Sequence, residues 1–212
     1  MNSSLRYVFG SLVSGDFDSG SDVDVLVVSD DEHVSCPQNW SVYTKSGIRR
    51  LYEKGTLFAW HLYQDSVPVG SETRKYDFLR EIGPPASYDS APSEISELKN
   101  IVVSSLSELL DNTPSSVFEV GLIAVAVRDI AMAASIFING KFNFSKFAPF
   151  ELSQLSLDIP RPLYLTMLNC RRSTVRGETL SDNENPANEL LKHRKSIIRW
   201  IDEVATKIAG TI

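Results

Sequence analysis

Hydrophobic and polar positions follow two regimes along this chain. Up to about residue 82 the apolar runs are short and broken by turn residues; from residue 94 onward they recur every three or four positions. Leu5–Phe9 and Val23–Val28 have strand length, and the second is nearly continuous, the pattern of a strand buried on both faces. Trp40–Thr44 predicts a short strand or loop, and Ser46–Lys54 a helix that stops at Gly55. Thr56–Tyr63, rich in β-branched and aromatic types, predicts a third strand. Val67-Pro68-Val69 fits an edge strand because it carries proline, and Thr73–Ile82 a short helix.

Residues 83–93 are dense in turn formers and predict a linker. Beyond it Ile95, Leu98, Ile101, Val102, Leu106 and Leu109 fall at helical spacing within Glu94–Leu110. Ser116-Val117-Phe118-Glu119 has the form of a capping box, and the apolar run behind it reaches Asn139 before Gly140. Glu119 and Arg128-Asp129 interrupt that run, which predicts a core helix; no run is expected to serve as a membrane span. Ser145–Leu157, Pro162–Arg176 and Pro186–Ile208 complete a bundle of roughly five helices. The expected class is α+β, with a small mixed-sheet domain over residues 1–85 and an all-α helical bundle over residues 94–212.

With 212 residues the chain is long enough for a sizeable core, and its net charge of −6 argues against a broad nucleic-acid-binding surface. Cys36 and Cys170 lie far apart without metal-ligand spacing, and no signal peptide is evident, so a reducing cytoplasm is the expected location.

The chemistry is concentrated near the start. Gly10-Ser11 closes the first apolar run, and Ser21-Asp22-Val23-Asp24 opens the second. Side chains at i and i+2 of a strand share a face, so Asp22 and Asp24 are expected to project together toward the Gly-Ser turn. Two neighbouring carboxylates repel each other unless a cation lies between them, and Mg²⁺ or Mn²⁺ prefers such oxygens. Gly10 lets backbone approach a ligand, and the Ser11 hydroxyl with nearby N–H groups can hold phosphate oxygens. Asp16 does not begin an EF-hand, since the sixth and twelfth places hold Ser21 and Val27 where Gly and Glu belong.

Gly10-Ser11, Gly15, Gly20 and Ser21-Asp22-Val23-Asp24 ahead of an apolar strand resemble the signature of the DNA polymerase beta superfamily of nucleotidyltransferases, above all its minimal and kanamycin-type members. The likeness is close over residues 5–30 and loose over the rest of the first 85. It implies transfer of a nucleoside monophosphate from an NTP to an acceptor hydroxyl on a small molecule, protein or RNA. Asp22 and Asp24 would hold Mg²⁺ or Mn²⁺, with Gly10, Ser11 and Ser21 at the nucleotide. Family members carry a third acid on a later strand. The strand matched to it here, Leu57–Tyr63, has none; His61 takes the expected place as candidate base, with Asp65 just beyond. The second half resembles the helical companion domain of kanamycin-type transferases and the HEPN proteins, which implies a role in choosing the acceptor. The His that HEPN ribonucleases place a few residues after an Arg is absent after Arg128. Arg49 and Arg50 are candidate phosphate contacts, and Glu119 a candidate base or cap. The rival reading is a catalytically weakened binding or regulatory module, antitoxin-like or a defence-system partner; a protein partner or a homodimer is an expectation under either reading.

Overall fold

The structure is a computed structural model and describes residues 4–17, 22–31, 33–177 and 186–211. In chain order it holds β1 (Leu5–Phe9), a single helical turn α1 (Ser11–Ser14), β2 (Asp24–Val28), β3 (Ser41–Tyr43), α2 (Lys45–Glu53), α3 (Leu57–Asp65), β4 (Ser66–Val69), α4 (Ser71–Lys75) and α5 (Phe78–Glu81). Longer helices follow: α6 (Ala91–Leu110), α7 (Ser116–Asn139), α8 (Arg161–Arg176) and α9 (Pro186–Ala209), with 3₁₀ turns at Ala148–Phe150 and Ser153–Leu155. The fold is α+β. The chain divides into two units, Met1–Ser90 with Phe144–Lys146, and Ala91–Asn143 with Phe147–Ile212.

The first unit is built on β1. The sheet order is β3-β2-β1-β4, with β1 antiparallel to both its neighbours and β3 parallel to β2. Leu5, Tyr7 and Phe9 alternate onto one face with Leu26 and Val28, because directly opposed residues of a ladder project the same way. Ile48 and Tyr52 of α2, Ala59 and Leu62 of α3, and Phe78 and Leu79 of α5 cover that face. The Tyr7 hydroxyl, buried beneath α5, accepts from the Leu79 N–H at 3.3 Å. Pro68 lies on the outer strand β4, where its missing N–H interrupts no inner ladder.

Several local expectations give way to capping and proline. Thr56–Tyr63 is not a strand: Thr56 caps a helix by accepting from the Ala59 N–H at 3.2 Å, and the aromatic content that suggested a strand lies on α3 instead. Thr73–Ile82 splits into α4 and α5, since Asp77 turns its carboxylate onto the Arg80 N–H at 3.3 Å and starts a new helix there. Ser145–Leu157 forms two 3₁₀ turns around Pro149, which has no N–H to continue a helix. The box at Ser116 is not the start either: α7 is capped at Ser115, whose side chain makes no capping bond.

In the second unit α7 packs against α6, α8 and α9. By length and composition alone α7 could cross a membrane, contrary to the expectation from the sequence; here 61% of its apolar window is buried. Arg128 Nε donates to Asp129 Oδ1 at 3.1 Å, and Nη2 lies 3.0 Å from the same oxygen. Burial nevertheless holds the Asp129 carboxyl above its ordinary value, opposed by the charges of Arg128 and Arg171.

Two measurements check this account. Gly55 has φ +59°, and a Cβ there would lie 2.2 Å from the Ser87 carbonyl oxygen and 2.4 Å from that of Ala86. Gly55→Ala is expected to cost roughly 2–4 kcal/mol in urea unfolding through backbone strain and displacement of this segment. Asp129 has a raised folded value, so the native state binds more protons than the unfolded chain in the acidic window above the ordinary carboxylate value. Stability tied to this group therefore falls as pH rises through that window. The stability of the protein relative to Asp129→Asn is expected to improve on acidification from pH ~7 toward ~4.5, as read by paired denaturation curves.

Candidate functional site

The site is defined by where β1 ends. Phe9 pairs with Asp24 on one side and with Ser66 on the other, so the mouths of β2 and β4 flank the same terminus. The chain then turns at Gly10, with φ 75° and ψ −149°, a backbone state open to glycine, and the Gly10 carbonyl accepts from Val13 and Ser14 to start α1. Gly10 is buried and Ser11 half-buried.

Asp24 opens β2 and is half-buried. Its carboxylate lies against the Gly10 backbone: a Cβ at position 10 would stand 2.6 Å from Asp24 Oδ2. The structure therefore brings Gly10, Ser11 and Asp24 together. Asp22 is exposed and lies two residues ahead of the ladder, which starts at Asp24. Ser21 lies outside the described residues.

His61 reaches this end of the sheet from a helix, not from a strand. Its ring meets Phe9 edge-on at 5.6 Å and stacks on Phe144 at 4.3 Å with 19° between planes. Asp65, one helical turn along α3, has Oδ2 3.8 Å from His61 Nε2, and the two side chains are 21% and 15% exposed. Burial raises the Asp65 carboxyl above its ordinary value; a hydrogen bond from Gln64 opposes this, and the charge of Asp16 adds to it. Asp65 immediately precedes Ser66, the partner of Phe9, so Asp24 and Asp65 stand on opposite sides of the β1 terminus.

The strand beside β2 is β3, which carries Ser41, Val42 and Tyr43 and no acid. Among the described residues no group of three or more His, Cys, Asp or Glu side chains is placed to hold a metal. Asp24 at the Gly10 turn is compatible with Mg²⁺, which binds through one or two carboxylates and takes the rest of its shell from phosphates and water.

Other candidates are engaged elsewhere. The Arg49 guanidinium lies 5.2 Å over the Phe78 ring. Glu119 sits half-buried on the first turn of α7, in the second unit. Lys192 pairs with Glu189 at 2.5 Å, and His193 approaches the same carboxylate at 3.8 Å. Phe144 has no sequence signal at all, since only the folded chain brings residues 144–146 into the first unit.

The family model for the nucleotidyltransferase domain matches residues 5–81. No curated protein matches the chain. Among solved structures, spectinomycin adenyltransferase AAD(9) from Enterococcus faecialis, crystallised with ATP and spectinomycin, is similar at 16% identity and a TM-score of 0.43, over 96% of this chain and 92% of that one. The span that this family model matches, about a third of the chain, holds both the Gly-Ser turn and the acidic mouth of β2, and over these residues the chain is similar to the nucleotidyltransferase domain family.

Proposed function

We propose that the protein transfers a nucleoside monophosphate from an NTP to an acceptor hydroxyl and releases pyrophosphate. The observation that carries this reading is the Asp24 carboxylate lodged against the side-chain-free Gly10 turn. That contact puts an acidic group beside the backbone and hydroxyl donors suited to phosphate oxygens.

In the proposed reaction the acceptor oxygen bonds to the α-phosphorus, the bond to the bridging oxygen breaks, and pyrophosphate leaves. Gly10 and Ser11 hold the β- and γ-phosphates. Asp22 and Asp24 hold Mg²⁺ or Mn²⁺, which when bound neutralises triphosphate charge. His61 takes the acceptor proton; its ring is fixed by Phe9 and Phe144, and Asp65 lies near enough to favour the imidazolium that results. A second reading, a regulatory module that keeps the fold without the turnover, is favoured by the acid-free β3.

The test is incubation with labelled ATP, GTP, CTP and UTP with and without Mg²⁺, with cell lysate supplying acceptors. Label transfer is expected, and Asp24→Asn is expected to lower it by on the order of 10²–10³-fold. Gly10→Ala should lower it by about 10²-fold by displacing the Asp24 carboxylate. His61→Gln should lower kcat by roughly 10²–10⁴-fold with nucleotide affinity retained. Metal-dependent binding that Asp22→Ala/Asp24→Ala abolishes, with no label transferred, supports the regulatory module. No nucleotide binding at all removes the enzyme.

A further inference from the structure

The second unit contains a crevice of about 1090 Å³ that the proposed reaction does not use. Its floor is apolar and drawn from four elements: Leu106 of α6, Ile138 of α7, Leu155 of the second 3₁₀ turn and Ile198 of α9. The Trp200 indole donates to the Leu155 carbonyl at 2.6 Å and so ties the turn to α9. Along α9 the lining runs from Arg194 to Lys207, roughly 20 Å of helix at about 1.5 Å per residue.

The mouth is charged, and the charges do not cancel. Arg194, Lys195, Arg199 and Lys207 line it against Asp202 and Glu203. Lys99 holds Asp202 at 2.5 Å, and Glu203 faces Arg199 at 4.0 Å. Those pairings leave Arg194, Lys195 and Lys207 unmatched by a lining carboxylate. Arg194 is also held in place, Nη1 donating to the Leu191 carbonyl at 2.7 Å. A cationic mouth on a chain of net charge −6 is a local feature and not the general character of the surface.

An apolar floor with two adjacent cations, Arg194 and Lys195, at one end is the composition of a small-molecule site, and the volume lies just above the usual range of roughly 300–1,000 Å³. We infer that this crevice binds a small amphipathic anion, an apolar body seated on Leu106, Ile138, Leu155 and Ile198 with a carboxylate or phosphate head at the adjacent Arg194 and Lys195. The site is independent of nucleotidyl transfer, and its ligand needs no metal.

The test uses the full chain, ¹⁵N-labelled, titrated below micellar concentrations with sodium decanoate, decyl phosphate and neutral decyl maltoside. Calorimetry gives the affinity, and the Trp200 indole cross-peak, assigned with Trp200→Phe, reports the location. Both anions are expected to move that peak and to bind about tenfold or more tightly than the neutral amphiphile. The tighter of the two identifies the head group. Lys195→Glu, at an exposed position, should weaken the anions about tenfold and leave the neutral compound unaffected. Ile198→Glu should weaken all three. Equal binding of anion and neutral compound, binding that leaves the Trp200 peak in place, or affinity unchanged in the charge-reversal variant overturns the proposal. So does an acidic amphipathic peptide that moves the peak where decanoate does not, which would make the crevice a protein-docking groove.

Discussion

The first unit depends on one close approach. The Asp24 carboxylate can lie against the chain at position 10 only because no side chain stands there, and the positive φ of Gly10 keeps that position nearly closed to other residues. The ladder enforces the approach, since Phe9 and Asp24 are directly opposed and Asp24 has no freedom to slide along β1. What makes the register rigid is burial: Leu5, Tyr7 and Phe9 fill one face, and a shift by one residue would turn all three out of the core.

From that terminus the rest of the site is held by packing. β4 pairs on the far side of β1 and brings Asp65 to the same end, while α3 leans on Phe9 and carries His61 over it. The aromatic surfaces on either side of His61 hold the imidazole plane as well as bury it, a degree of order that a lone exposed histidine on a helix does not have.

Much of this was legible in the chain because it rests on short-range pattern. β1, β2 and the proline-bearing edge β4 follow from apolar runs and their punctuation, and the long helices α6, α7, α8 and α9 follow from their periodicity. Thr56–Tyr63 reads as a strand from its aromatic content, yet a single capping hydroxyl, Thr56, decides the local conformation and makes Leu57–Asp65 a helix. The segment matched to the third acid is therefore a helix, and the strand beside β2 is the three-residue β3. Phe144 beside His61 was beyond reach, because nothing in a local window shows that residues 144–146 join the first unit. The crevice along α9 escaped for a related reason. Arg194, Lys195 and Lys207 line a crevice only because a turn from elsewhere in the chain packs beside α9.

In the proposed reaction the acid-free β3 leaves the chemistry to groups on either side of the β1 terminus. In the proposed reaction the carboxylates that attract a cation lie on the β2 side, and the proton acceptor lies on the β4 side, with the β1 terminus between them. That separation has an electrostatic logic. Asp65 is already disfavoured as an anion by burial and by Asp16, so a further acid close to Asp22 and Asp24 would add repulsion that only a bound cation relieves. A neutral imidazole adds none. In the proposed reaction it accepts a proton without raising the negative charge of the site beforehand, and the imidazolium it becomes lies 3.8 Å from the Asp65 carboxylate. In the proposed reaction the helix-borne His61 therefore takes the place of an acidic base, and Asp65 serves that base.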